Sequence, residues 1–531
     1  MKIQLKSIVS AVICGLVLLL WAPSTLAVTP VEVAKLLASD GAEHDQFGFS
    51  VAVSDDTAVI GAVVDGPGGS AYVFTHTGAN WAQQAKLMAS DAAVGDEFGR
   101  SVAIDGDTAV VSASEDDSRS GSVYVFTRTG TTWTQQAKLR AEDAAAGDHF
   151  GIAVAISGDT VVIGAYEDDD AGNRSGSAYV FTRSGSTWSQ QAKLTAADAS
   201  AEEEFGRSVA VSGNTAVVGA TVSGEETEDP GLGSAYVFTR SGAIWSQQAK
   251  LTASDTAPGD QFGISVAVTG DTAIVGAYLD DDAGISSGSA YVFMRSGTTW
   301  TRQAKLTASD AGAEDRFGRS LAISGDVVVI GSERDDNDLG SARVFARTGS
   351  TWTEQAKLTA SDAAADDLFG FSVALSGDTA VIGARQDDDA GFSSGSAYVF
   401  SLVTDVIEVE IDIKPFAEPT KPNRIRLPGG SRDYIKVAIL STNFADDGTV
   451  DFDALQVDPE TVEFGPAGAP AKRGWLRVRD VDGDGDVDMI LRFKIRKTGI
   501  TCSDTEATLT GKTYADEPFA GTDSIRPYRC R

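Results

Sequence analysis

The chain has 531 residues, 76 acidic against 43 basic, and a formal net charge of −33. Residues 404–531 hold 23 acidic and 18 basic residues, so nearly all of the excess belongs to residues 1–403. Such a surface argues against nucleic acid and anionic membranes as partners, since both repel it, and suits a basic partner or loosely held cations.

Lys2 and Lys6 precede an apolar stretch from Ile8 to Trp21, and Thr25-Leu26-Ala27 forms a small-residue cleavage site. This pattern predicts a secretory signal peptide over residues 1–27. The apolar run is short for a membrane span. Cys14 follows Val12-Ile13 rather than a small residue, which argues against lipidation. No later segment is apolar enough to span a bilayer. The expectation is a soluble protein that is secreted, either extracellular or at the periplasm or cell surface, and monomeric.

From residue 28 a block of about 50 residues is written seven times. The pair Phe-Gly recurs at Phe47, Phe98, Phe150, Phe205, Phe262, Phe317 and Phe369, with gaps of 51, 52, 55, 57, 55 and 52 residues. A period of this size marks small units that bury their apolar faces only by packing on one another. Each unit predicts four short strands. An alternating run such as Ser208 to Val211 leads through a Gly-Asp or Gly-Asn turn to an apolar run such as Thr379 to Ala384. An acidic, glycine-rich loop then leads to Gly-Ser-Ala-Tyr-Val-Phe, and a turn of the Arg183-Ser184-Gly185-Ser186 type leads to a Trp-x-x-Gln-Ala-Lys-Leu run. The run lengths and β-branched content indicate strands, and the turns indicate antiparallel hairpins. The continuous apolar second run predicts burial on both faces, and its terminal Gly-Ala pairs suit a crowded ring centre.

The ends argue for closure. Tryptophans open the fourth strand at Trp81, Trp133, Trp188, Trp245, Trp300 and Trp352, but the seventh unit stops after Tyr398-Val399-Phe400. The missing strand sits at the other end, where Val33 to Asp40 matches Gln303 to Asp310. The expected fold over residues 28–403 is therefore all-β: a seven-bladed β-propeller of four-stranded blades, closed by the N-terminal strand so that no sheet edge is left open.

These Phe-Gly and Gly-Ala signatures resemble FG-GAP repeats, the repeat of the integrin α-subunit propeller, across roughly residues 31–403. The resemblance implies extracellular adhesion and ligand binding. Integrin-type repeats often carry an Asp-x-Asp-x-Asp-Gly-x-x-Asp calcium loop between the first two strands. Here that place holds tight turns such as Gly158-Asp159 and Gly270-Asp271. The chain is thus similar to a calcium-free, bacterial-style secreted variant of the repeat.

The acidity concentrates after the second strand of each unit, as at Asp168-Asp169-Asp170, Asp280-Asp281-Asp282 and Asp387-Asp388-Asp389, with Asp116-Asp117, Asp335-Asp336 and Glu225-Glu226 in sister positions. A propeller gathers these loops on one face. They read foremost as solvated turns, with a docking face or weak cation sink as the functional alternative. Consecutive aspartates lack the alternate spacing of a calcium loop. The polar stretch Ser223 to Leu232 reads as an extended surface loop.

A strictly alternating strand, Val406 to Ile413, opens a second domain over residues 404–531, whose runs Tyr434 to Leu440, Trp475 to Val478 and Met489 to Ile495 predict one β-sandwich-like domain. It holds the strongest chemical motif, Asp480-Val481-Asp482-Gly483-Asp484-Gly485-Asp486-Val487-Asp488. Carboxylates of Asp480, Asp482, Asp484 and Asp488, the Asp486 carbonyl and a glycine at the sixth place are what calcium asks of one loop. Leu491 replaces the bidentate glutamate of an EF-hand, so the loop resembles the shorter calcium loop of extracellular β-modules. Cys502 and Cys530 are the cysteines left after signal cleavage and are expected to form one disulfide, closing a loop of about 28 residues and contributing roughly 3 kcal/mol.

A catalytic set is missing. The three histidines, His44, His76 and His149, look like repeat variation on surface loops, and no Ser-His-acid or metal-histidine spacing occurs. No catalytic residue is therefore assigned. The expected function is a secreted or cell-envelope binding or adhesion protein that engages an extracellular protein or glycan, with calcium in the C-terminal domain. The alternatives are a secreted polysaccharide hydrolase or lyase and a purely structural envelope protein.

Overall fold

A computed structural model describes residues 28–531 except 78–79, 223–231, 405–406, 410, 414–422, 427–432, 442–451, 466–468, 482–486, 503, 515–517 and 529–531. The expected signal peptide, residues 1–27, and nearly all of the 223–232 insertion lie outside the described residues. Residues 28–404 form seven four-stranded antiparallel sheets, one for each repeat. In blade 4, for example, Phe205–Ser212, Thr215–Ala220, Ser234–Ser241 and Ile244–Leu251 pair in chain order. Blade 7 is completed as expected: Val28–Leu36 pairs antiparallel with Ser396–Thr404, Leu36 facing Ala397.

The second strands are buried along their whole length in blades 1 to 5, and past their first residue in blades 6 and 7, because a neighbouring blade covers each face. No central core exists. Seven apolar clusters each lie between two successive blades, and the cluster holding Leu36, Phe47, Ile60, Val381 and Val399 joins blade 7 to blade 1. Order one through seven therefore returns on itself, and the reading of a seven-bladed propeller holds.

The Phe-Gly pair is the clamp between blades. Phe205 is fully buried and meets Tyr236 and Phe238 of its own third strand edge-on, at 5.4 and 6.0 Å. Its backbone bridges to Gly176 of the preceding blade. Ser208 donates to the carbonyl of Gly263 in the next blade at 2.8 Å, and Ser372 repeats that bond to Gly48 across the closure. Here the second-strand glycine is a steric necessity. A methyl on Gly383 would stand 2.1 Å from the Gly48 carbonyl oxygen.

On the opposite side of the blades the fourth-strand tryptophans tie the ring from outside. The Trp188 indole donates to Gln136 of the preceding blade at 2.8 Å, while Arg183 lies over the Trp188 ring and also donates to Thr108 of that blade. His76 takes the arginine's place by stacking on Trp81.

The C-terminal residues form two sheets. One is ordered Ile411–Ile413, Tyr434–Ile439, Asp488–Lys494, Arg477–Arg479; the other is built on Glu506–Lys512 and Pro518–Tyr528. Val437, Leu491, Phe493, Leu509 and Phe519 pack into one core that shares no residue with the propeller clusters. This is the expected sandwich-like arrangement. It includes parallel pairings of Asn423–Arg426 and Ile407–Glu408 with Pro518–Tyr528.

Gly383→Ala should cost about 3 kcal/mol, since the atom it meets first, the Gly48 carbonyl oxygen, is backbone. Gly377→Ala, in an open turn at φ 53°, should cost about 1 kcal/mol. Equal losses in urea titrations of the two variants would refute the clamp.

Candidate functional site

Because the strands of a blade are antiparallel, its connections alternate between two faces. The tight turns occupy one. The acidic second-to-third loops and the links to the next blade share the other, and six blades build a lysine-centred cage there, whereas in blade 4 Lys250 pairs with Asp198 alone among the described residues. In blade 3 the Lys193 ammonium lies 2.7, 2.8 and 2.5 Å from Asp143, Asp168 and Asp170. The three carboxylates are close enough to hold a metal ion, but the lysine already supplies the positive charge. Asp168 also accepts the Tyr179 hydroxyl at 2.7 Å. Lys35, from the N-terminal strand, does the same in blade 7 with Asp362, Asp387 and Asp389.

The acidic loops are thus more than solvated turns. Asp168, Asp280 and Asp387, the first residue of each triplet, are buried, because a tyrosine and a lysine of the same blade hold them inward. Blade 6 departs from the pattern. Arg343 stands where the tyrosine would be, fully buried and paired with Asp310 and Asp335.

Two rows of carboxyls respond oppositely to this setting. Hydrogen bonds from Lys86, Lys138 and Lys250 hold Asp40, Asp91 and Asp198 below the ordinary carboxyl range. Burial raises Asp45, Asp96, Asp148, Asp260, Asp315 and Asp367, each two residues before a Phe-Gly. Asp367 is pushed up to about 6.

At the ring axis the innermost strands present the residue after each Phe-Gly. In blade order these are Phe49, Arg100, Ile152, Arg207, Ile264, Arg319 and Phe371. Arginines thus come from alternate blades. Seven is odd, so the alternation fails between blades 7 and 1, where Phe49 and Phe371 meet at 5.2 Å. Arg385, just past the second strand of blade 7, fills that gap at 5.7 Å from Phe49 and 4.1 Å from Phe371. Arg100 lies over Phe49 and Arg319 over Phe371. The alternation was visible in the sequence, at one fixed offset from each Phe-Gly, but its convergence needed the ring.

His149 is no surface residue. Its loop carries it inward, where it is buried with its ring nitrogens 3.2 Å from Glu115 and Glu167. His44 is exposed, edge-on to Phe392.

Of the expected calcium ligands, Asp482, Asp484 and Asp486 lie outside the described residues. Asp480 is exposed, and Asp488 is buried with its carboxylate accepting the amides of Ser441 and Val481 at 2.9 and 2.6 Å. The loop joins the antiparallel strands Arg477–Arg479 and Asp488–Lys494, a hairpin context rather than that of an EF-hand. Cys502 is described, whereas Cys530 is not.

Residues 30–74, 81–126, 133–181, 188–238, 245–293, 300–345 and 352–400 match the FG-GAP repeat. The chain belongs to the FG-GAP repeat family. Each FG-GAP unit starts in or beside the fourth strand of one blade and ends in the third strand of the next, so every sequence repeat straddles two blades. No curated protein matches the chain. Among the described residues, no helix is long and apolar enough to cross a membrane.

The raised Asp367 gives a signed pH dependence. Its protonated form suits the fold, so its contribution is full below pH 3.8 and is lost as the pH rises through about 6. Asp367→Asn should be more stable than the parent by about 1–3 kcal/mol at pH 7.5. That gain should vanish near pH 4. Urea titrations showing a gain independent of pH would refute this.

Proposed function

We propose that this FG-GAP protein is a secreted or cell-envelope binding protein whose propeller engages an extracellular protein or glycan through its loop face. The observation that carries the reading is the layout of that face, with arginines and aromatic rings at the axis inside a rim of aspartates. We read the face as a binding surface, because guanidiniums and aromatic rings hold ligands. FG-GAP membership and the charged, then apolar, start of the chain support an extracellular place.

Calcium is assigned to the Asp480–Asp488 loop. Support comes from the alternate spacing of the five aspartates, which would repel one another without a cation, and from the hairpin that carries the loop. Its role there is to stabilise the C-terminal domain. A Cys502–Cys530 disulfide would tie down the end of the same domain.

The test combines arrays of extracellular proteins and glycans with calcium or chelator. Partner capture should persist in chelator, while millimolar calcium should raise the melting temperature by several degrees. Asp482→Asn with Asp484→Asn should remove the thermal shift and leave capture intact. Capture that disappears with the calcium would move recognition to the C-terminal domain. Silence under both conditions would refute the binding role.

A further inference from the structure

The axial arginines are a charge anomaly. In a chain of net charge −33, Arg100, Arg207, Arg319 and Arg385 converge on one mouth of the ring. Phe49 and Phe371 form a two-ring floor on which three of the four guanidiniums lie at 4.1 to 5.7 Å. Arg207 lies over Tyr166 at 5.0 Å.

Local carboxylates do not balance the set. Arg100 pairs with Glu97 at 2.7 Å, and Arg319 shares Glu333 with Arg316 at 3.4 and 3.3 Å. Arg207 and Arg385 have no ion pair among the described residues, and Arg385 reaches only the Gln46 amide at 3.4 Å. Arg100 and Arg319 keep side-chain exposures of 29 and 26 %, so the cluster is open to a ligand. Burial and then the charge of Arg319 lower the Arg207 pKa, against an opposing pull from Glu204, with Arg100 adding a smaller push. Burial likewise lowers that of Arg385, where Glu333 opposes and Arg319 and Arg100 add to it. Like charges held together in this way are stabilised when an anion enters.

The surroundings narrow the anion. Lysine-centred aspartate cages ring the mouth, and their outer carboxylates, such as Asp170 and Asp389, stay exposed. A polyanion such as a sulfated or uronate glycan would reach the axis only by crossing that negative rim. A protein can carry one carboxylate within a basic patch, matching both zones at once.

We propose that the axial arginines form a receptor for a single carboxylate, an aspartate or glutamate side chain, on a partner protein whose surrounding surface is basic. This rests on the loop-face binding role and names the partner's chemistry. Arg385 would take the carboxylate, with the Phe49–Phe371 floor orienting its guanidinium and Arg100 and Arg319 adding their charge.

The test uses two fluorescent peptides, one with a glutamate flanked on each side by lysines and one with glutamine in its place, plus heparin as the polyanion. Anisotropy titrations are run on the purified protein and on Arg207→Gln with Arg385→Gln. Circular dichroism melts confirm folding, and Arg100→Gln serves as a second variant should the double variant fail to fold. The expected result is about tenfold or more preference for the glutamate peptide by the parent. That preference should collapse to near unity in the variant, with no heparin binding. The arginine losses should also raise the melting temperature of the unliganded protein, because repulsion is relieved. Equal binding of both peptides to the parent would overturn the axial receptor and leave a merely basic-seeking rim, with the loop-face role intact. A preference that survives the substitutions, or tighter binding of heparin, would overturn it too. Binding of neither peptide and no heparin would remove both the receptor and the support for the loop-face role.

Discussion

The propeller depends on one repeated close approach, in which the Phe-Gly backbone of each blade lies against the Gly-Ala end of the second strand in the blade before it. Little room remains between the two, so glycine stands at the contact in six blades, as at Gly383 against Gly48, and the small Ser112 takes that place in blade 2. Once the backbones meet, the phenylalanine is placed beneath the third-strand aromatics of its own blade, and the serine three residues later reaches the next blade's glycine carbonyl. Apolar burial follows from this contact. It lies between blades, so each blade is stable only with two neighbours, and the N-terminal strand closes the series at the cluster containing Leu36 and Phe47.

The same geometry distributes charge. Outside blade 4, the lysine sits among carboxylates from its own blade's acidic loop and from the link that enters that blade, and a tyrosine or, in blade 6, Arg343 closes the cage. Much of the acidity is therefore engaged with internal ammonium groups. The remaining exposed carboxylates form the rim, and the arginines, from alternate blades, take the centre. Opposite signs are thus separated by radius on one face.

The Asp480–Asp488 loop belongs to a different economy. Its spacing is a local property that would serve a cation in any hairpin. Asp488 shows how the sandwich uses the end of it, with a buried carboxylate accepting two backbone amides across neighbouring segments. The loop's chemistry is compatible with stabilising that domain.

The strands, their antiparallel order, the seven-fold count and the closure were legible in the sequence, because run length, turn chemistry and a repeated Phe-Gly are local signals, and the displaced Lys35-Leu36 strand announces its partner by identity with the other repeats. The alternating aspartates of residues 480–488 are a local signal of the same kind. The cages were not, since Asp168 and Asp170 in a triplet look solvated until Lys193, twenty-odd residues on, folds over them. His149 was misread as exposed because nothing near it in the chain shows that its loop turns toward Glu115 and Glu167. The axial residues were spelled out at one offset from each Phe-Gly, but charge and aromatic character acquire meaning only by convergence. Local hydrogen bonding and periodicity determine elements along the chain, whereas a ring brings together positions some 50 residues apart, and only the tertiary structure decides which of them share an axis.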